Sequence, residues 1–427
     1  MRLINTESLK LREFADANLP PYSILSHLWG DEADECCFQE FAHGEAHSED
    51  VKSKPGYAKI VNFCRVSREN GFYWAWADTV CIDKSDYDEH NTAINSMFAW
   101  YERSEVCYAY LADTGSPVAE SDSKDSSAYA WFRNPVANAL RDAQWFTRGW
   151  TLPELIAPTK LNFFCRDWTF LCSKDDILTE IRHITSVPLP LLYSTNRKMF
   201  KEPKNLTGYT ALRKMRWVSR RQTRHEEDMA YCLLGLFDVQ MPIRYGEGER
   251  AFERLQDLII RIRGDASILV WQADARWQAG DIGSCRYLAS HASGFQWTST
   301  SMGLSESARV LKGPCSPGMS APEAMSGIQA DERRVIYKSS EDVILSRPLI
   351  QTLDDRLVFV AMGAYNYARW ISLEHDDNAL IPLTRGADGT YHRLSFPIVS
   401  ANLTTFGLIG NGLSYTEIRI RNPSPPS

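Results

Sequence analysis

Three apolar runs, "YSILSHLWGDE" (22–32), "FYWAWADTVCID" (72–83) and "EVCYAYLAD" (105–113), alternate with two stretches of helical spacing, and this rhythm constrains the fold more than any other feature. Between the first two runs, Tyr57, Ile60, Val61 and Cys64 recur on one helix face, and Asn70-Gly71 supplies a stop. Between the second and third, Ile94, Met97, Phe98 and Tyr101 share one face of a helix over about 89–104. The run 72–83 is almost unbroken in apolar and aromatic residues, which predicts a strand buried on both faces. Strand, helix, strand, helix, strand in this order predicts an α/β fold, a parallel sheet with crossover helices.

Each predicted strand ends in polar residues: Ser26 and His27, then Asp78 and Asp83, then Asp113. Open α/β sheets take their ligands outside the carboxyl ends of the strands, so these residues form one candidate site. Trp29, Gly30 and Asp31 continue the first strand into the loop on that side.

The rest of the chain is read around this core. The first ~20 residues give a short strand and a loop, and 33–56 a charged, His-rich excursion. Residues 114–127 are loop-like, "KLNFFC" (160–165) is a strand and "KDDILTEIRHI" (174–184) a helix. From about 207 to 264 the pattern is mainly helical. There Thr223 and Glu226 have capping-box spacing before "DMAYCLLGLF", and Ala251, Phe252, Leu255, Leu258 and Ile259 share a face that stops at Gly264. After about 270 short β-type runs take over, with a turn at Asp388-Gly389, as in an antiparallel sandwich or barrel. The Gly-, Pro- and Ser-rich stretch 311–330 reads as a flexible loop. The expected division is 1–206 (α/β core), 207–269 (helical extension) and 270–427 (β-rich domain), since 427 residues exceed one ordinary core.

A formal charge of -7 argues against nucleic acid as a partner. None of the ten cysteines forms a CxxC pair, and several sit inside apolar runs, as buried thiols do in a reducing compartment. With no apolar signal core and no run of membrane-span length, the expected location is cytoplasmic, with no membrane span. No phosphate loop, HExxH, GxSxG or metal-spaced Cys/His set is present, so no metal or other cofactor is expected. "HEED" (225–228) has metal-ligand residue types, but Glu226 is accounted for by the cap. The six basic residues of "RKMRWVSRRQTR" (213–224) read as a solvated or salt-bridged helix face, the alternative being a phosphate-contacting surface. Cys81, between Asp78 and Asp83, is a poor thiolate and reads as buried.

The segment "WFTRGWTLPELI" (145–156) leaves two roles open for Glu154. Thr151-Leu152-Pro153-Glu154 has capping-box spacing, with Pro tolerated in the first helical turn, so Glu154 can simply close its own helix. Alternatively Trp145, Phe146, Arg148 and Trp150 form an aromatic rim with one cation, beside which a carboxylate is desolvated and a flat nucleobase or nicotinamide ring is well received. His27 likewise reads as a base, a ligand contact or a locally satisfied histidine.

The ordered set "YSILSHLWGDE", "GFYWAWADTVCIDK", "AINSMFAWYERSEVCYAYLAD", "WFTRGWTLPELIAP" and "TRHEEDMAYCLLGLFDVQMPIRYGEGERAFERLQ" resembles the fungal heterokaryon-incompatibility (HET) domain proteins over about residues 20–270. The resemblance implies a role in non-self recognition and programmed cell death. Relatives usually have Gln where this chain has Pro153. A more distant similarity is to TIR domains, a flavodoxin-like fold, through "ILSHLWGDE", "AINS" (93–96), "VCYAYLAD" and "WTLPEL" (150–155). In NAD-cleaving TIR enzymes the glutamate of the last motif is catalytic, and by position it falls on Glu154. The resemblance therefore implies cleavage of the nicotinamide–ribose bond of NAD, with Glu154 as the catalytic carboxylate. Ser26, His27, Trp29, Gly30, Asp31, Asp78, Asp83, Arg148 and Trp150 would line the nucleotide site. It further implies homo-oligomerisation on activation. The competing expectation is a non-catalytic signalling module, or a nucleotide sensor.

Overall fold

The computed structural model describes residues 1–42, 48–116, 135–193, 206–263, 265–269 and 271. Beyond these it describes the shorter stretches 284–285, 288–296, 300–301, 309–310, 336–337, 342–351, 357–361, 379–385, 391–394, 399–400 and 415–421. The chain divides into two compact units, Met1–Gly208 with Arg221–Gly246, and Tyr209–Arg220 with Glu247–Ser427.

The first unit is α/β. Its strands are β1 (Arg2–Asn5), β2 (Leu11–Glu13), β3 (Ser23–His27), β4 (Trp74–Trp76), β5 (Val106–Tyr110), β6 (Leu161–Phe164) and β7 (Phe170–Ser173). They form one mixed sheet in the order β2-β1-β4-β3-β5-β6-β7. The four central strands are parallel, while β1, β2 and β7 pair antiparallel at the edges. Helices of this unit are α1 (Phe38–Ala42), α2 (Glu49–Lys52), α3 (Pro55–Glu69), α4 (Asp78–Cys81), α5 (Tyr87–Arg103), α6 (Pro135–Asp142), α7 (Thr151–Ile156), α8 (Leu178–Thr185) and α9 (Leu189–Leu192). After α10 (Ala211–Val218), which belongs to the second unit, α11 (Asp228–Tyr231) and α12 (Leu234–Phe237) return to the first.

β3 is buried along its whole length, which explains its lack of polar alternation. Successive residues still serve opposite faces. Tyr22, just before the strand, donates its hydroxyl to the Trp100 carbonyl of α5, whereas Ser23 bonds the Ser67 hydroxyl of α3 at 2.7 Å. The first crossover (β3-α3-β4) runs to one side of β3 and the second (β4-α5-β5) runs back past it, so right-handed crossovers place α3 and α5 on opposite faces. The sense of winding thus reverses beside β3, where sheets of this kind leave a crevice at the strand ends.

Several expectations are corrected. The predicted strand 72–83 is a strand only over Trp74–Trp76 and then turns into α4. β3 offers β4 just two register partners, Ala75 and Trp76, and Thr79, Val80 and Cys81 bury themselves as a helical turn instead. An unbroken apolar run satisfies either geometry, so periodicity does not separate them. The first 20 residues hold two strands rather than one, and the excursion 33–56 contains α1, α2 and the start of α3. Thr223 and Glu226 form no capping box: the Thr223 hydroxyl donates to the His225 carbonyl at 2.7 Å, and α11 begins only at Asp228. The cysteines do behave as expected, seven of the eight described being buried and all eight free; Cys37 is exposed. Among the described residues no helix is long and apolar enough to cross a membrane.

α12 packs on α5 through Gly235, where a Cβ would lie 2.1 Å from Cβ of Phe98. Gly235→Ala is expected to destabilise the protein by about 1–3 kcal/mol, the usual range for overpacking, because Phe98 has to yield. A lowered urea midpoint at unchanged slope checks this.

The second unit contains α10 and α13 (Arg250–Arg263), the latter burying Ala251, Phe252, Leu255 and Ile259 as the amphipathic pattern predicts, while Leu258 stays half-buried. The start of α10 is held by Asp265 and Ser267, which accept from the Ala211 and Leu212 amides at 2.7 and 3.0 Å. Ten strands form a second sheet with mainly antiparallel pairings, centred on Asp342–Gln351, which pairs with Tyr415–Arg421 over seven residues. The Asp388-Gly389 turn, Gly264 and the stretch 311–330 lie outside the described residues.

Candidate functional site

Glu154 does not serve its own helix. Its Oε2 accepts the hydroxyl of Ser26, near the carboxyl end of β3, while the Tyr101 hydroxyl of α5, which donates to the Leu25 carbonyl at 2.8 Å, lies near enough to act on the carboxyl. Ser26 in turn accepts the indole N–H of Trp145 at 2.8 Å. The Thr151 hydroxyl points back to the carbonyls of Trp145 and Arg148 (2.9 Å to the latter), and no side chain caps α7. The capping-box reading of 151–154 is thereby corrected. Its spacing is right, but a buried hydroxyl on the neighbouring strand is the partner that Glu154 takes.

Burial is the main force on Glu154 and pushes its carboxyl well above the ordinary range; Asp78 adds to this, while Ser26, Tyr101 and Arg221 oppose it. The shift favours the protonated form, which can donate one hydrogen bond and accept others.

Asp78, the first residue of α4, lies on the other side of the strand ends. Its Oδ1 is 3.0 Å from His27 Nε2, and its Oδ2 accepts the Trp29 indole N–H at 2.9 Å. Burial opposes its ionisation, but Lys84, His27 and Trp29 outweigh that and hold it far below the usual carboxylate range. Lys84 sits 4.0 Å from Asp78 and 3.4 Å over the Trp29 ring. Two carboxyls thus face the same end of the sheet, their acidities pushed in opposite directions by environment. Among the described residues His27 Nδ1 is buried without a partner.

The other expected residues are less central. The Gly30 amide donates to Glu35 at 2.7 Å, and the Asp31 carbonyl accepts the Asp34 and Glu35 amides, so the loop after β3 closes on itself. Asp83 accepts from Gln39 and Ser85, and Asp113 accepts the Gln144 amide at 2.8 Å. Arg148 enters through its carbonyl, which accepts from Arg221. Trp150 is half-buried and bonds Asp228, which also accepts the Tyr245 hydroxyl at 2.8 Å and bonds the backbone of His225. The expected aromatic rim is corrected: Trp145 and Phe146 are core residues, edge-on at 4.9 Å and packed on Phe163, because apolar rings at the sheet surface gain more from burial than from solvent.

Arg221 belongs to the run expected to be a solvated or phosphate-contacting face, and this too is corrected. Its guanidinium is buried, with Nη1 donating to the Arg148 carbonyl at 2.8 Å and to Thr151 Oγ1 at 2.9 Å. Neither its type nor its spacing marks it; only the pairing of Gln222 with residues 147–149 brings it inward. Tyr101 shows in the sequence only as one position on a helix face, with no signal for its contact to Glu154.

Beside Glu154 lies a cavity of about 10 Å³, bounded among others by Tyr101, Trp150, Pro153, Cys232 and Gly235. Such a volume admits one water at most. No group of His, Cys, Asp and Glu among the described residues is arranged to hold a metal ion.

Comparison with known proteins places this geometry. Residues 22–154 match the family model described as heterokaryon incompatibility protein (HET). The chain is also 38% identical over 249 residues to the vegetative incompatibility protein HET-E-1 of Podospora anserina, a match covering 58% of this chain and 17% of that protein. The chain thus spans less than a fifth of the length of the curated relative it matches. No solved structure matches. Ser26, Asp78, Tyr101, Trp145 and Glu154 all fall within the matched stretch, which opens at Tyr22 just before β3 and ends on Glu154. Residues 22–154 thus carry a HET domain, and the buried carboxyl lies inside it.

Proposed function

We propose that this HET domain is a TIR-like NAD glycohydrolase that acts in non-self recognition and cell death in the cytoplasm, with Glu154 as its catalytic carboxylate. The observation that carries the reading is the direction of Glu154: it leaves its own helix and meets Ser26 at the carboxyl end of β3, beside the point where the sheet's winding reverses. The order of the parallel strands, second-first-third-fourth, is also that of flavodoxin-like folds. Cleavage of the nicotinamide–ribose bond passes through an oxocarbenium-like transition state, which a nearby carboxylate stabilises. Nicotinamide leaves with the bonding electrons, neutralising its own ring charge, and water supplies the hydroxyl of the ribose product.

The small cavity requires that the site open before a dinucleotide enters, and we assign that opening to self-association on activation. Incubating the protein with NAD at rising concentration and following nicotinamide tests this: release is expected to rise more steeply than protein concentration. The same tight cavity favours a second reading, a non-catalytic module in which Glu154 only joins α7 to β3. Calorimetry separates the two, since that reading predicts no heat with ADP-ribose at any state of assembly.

A further inference from the structure

Arg221 lies outside the matched family stretch, yet it is bound into the turn that launches α7. The Gln222 amide donates to the Thr147 carbonyl at 2.7 Å and the Gly149 amide returns the contact to the Gln222 carbonyl at 2.8 Å, a parallel bridge beside Arg148. The approach is close: a Cβ on Gly149 would lie 2.6 Å from Cγ2 of Thr223. Within this bridge Arg221 Nη1 is fully used, while Nη2 is buried with no partner among the described residues. An open guanidinium donor in the interior is costly, and the helix that the guanidinium steadies carries an acidic side chain, Glu154, that feels its charge.

We propose that Arg221 is the positioning residue of Glu154: it fixes the turn from which α7 starts and keeps one buried donor open to receive the Glu154 carboxylate. The proposal rests on the reading of Glu154 as the working carboxylate. Glu154 then has two settings. As a neutral acid it stays with Ser26 and Tyr101; once ionised it is drawn to Nη2, which frees the Ser26 hydroxyl. The charged and titratable groups acting on Glu154 are Asp78 of α4, Tyr101 of α5, Cys107 of β5, Cys232 after α11, and Arg221. Arg221 is the cation among them, and its guanidinium is itself pushed down to about 10 by burial, with Cys232 and Glu154 working against that fall.

The test reads the carboxyl itself. The infrared carbonyl band of a protonated acid, assigned to Glu154 by its loss in Glu154→Gln, is followed against pH in wild type, Arg221→Gln and Arg221→Lys. Removing the cation makes ionisation harder, so the band in Arg221→Gln is expected to persist to higher pH by about one unit or more. Arg221→Lys keeps the charge but not the fork, so a smaller upward displacement is expected. If the Gln variant does not fold, the Lys variant decides. A folded variant whose band titrates as in wild type overturns the proposal, as does a wild-type band that never titrates while the protein stays folded. Nicotinamide release is followed on the same samples: its absence in wild type defeats the glycohydrolase reading alone, and the carboxyl titration still decides whether Arg221 acts on Glu154.

Discussion

Trp145→Ala is expected to lose about 3–5 kcal/mol of stability, the range for emptying a buried Trp site. The ring is fully buried, edge-on to Phe146 at 4.9 Å and to Phe163 at 5.6 Å, so its neighbours cannot collapse into the space without losing their own contacts. The substitution also removes the donor to Ser26 and leaves that hydroxyl with Glu154 alone. Trp145→Phe separates the two effects. It keeps most of the apolar volume and loses the N–H, so a further cost of about 0.5–1.5 kcal/mol is assigned to the hydrogen bond beyond what the smaller ring forfeits. Urea unfolding measures both; a loss below about 1 kcal/mol for Trp145→Ala would mean that the ring is not a core element.

Glu154→Gln is expected to make the protein more stable than wild type at neutral and alkaline pH, with the difference shrinking as the pH falls. The folded state raises the Glu154 carboxyl above its unfolded value, chiefly by burial. Between the ordinary carboxylate range and that raised value the folded state holds one more proton than the unfolded chain, so wild-type stability falls as pH rises. The slope reaches about 1.4 kcal/mol per pH unit where the proton difference is complete. The amide does not ionise and shows none of this. Asp78 contributes with the opposite sign: its carboxyl is depressed, so its contribution is present above the unfolded value and lost as the pH falls. Unfolding midpoints of both proteins against pH check the sign, and parallel curves would show that Glu154 is ionised in the fold.

The alternation of apolar runs with helical spacing made the parallel centre of the sheet legible, because β3 and β5 are long enough to be buried on both faces. β4 was only half legible: three residues pair and the apolar residues after them coil, which composition does not distinguish. The strand-end rule picked out Ser26, His27 and Asp78, which do gather around two carboxyls. It also gathered Asp83 and Asp113, which instead accept bonds from Gln39, Ser85 and the Gln144 amide. Where Glu154 points could not be read locally, since cap and cross-strand contact share one spacing and differ only in what lies across the sheet. Arg221 was illegible for a similar reason. It is one of six basic residues in its run, and the backbone bridge that buries it joins residues more than seventy positions apart.

The central claim, that the buried carboxyl at the end of β3 is the working group, is met most directly by nicotinamide release from NAD, measured at concentrations where the protein self-associates, for wild type beside Glu154→Gln. Release is expected from the wild type, with a loss of roughly 10²–10³-fold in the variant, the scale of removing one electrostatic stabiliser of the transition state, and the fold intact by circular dichroism. Equal release by the two proteins, or none from the self-associated wild type, would contradict it.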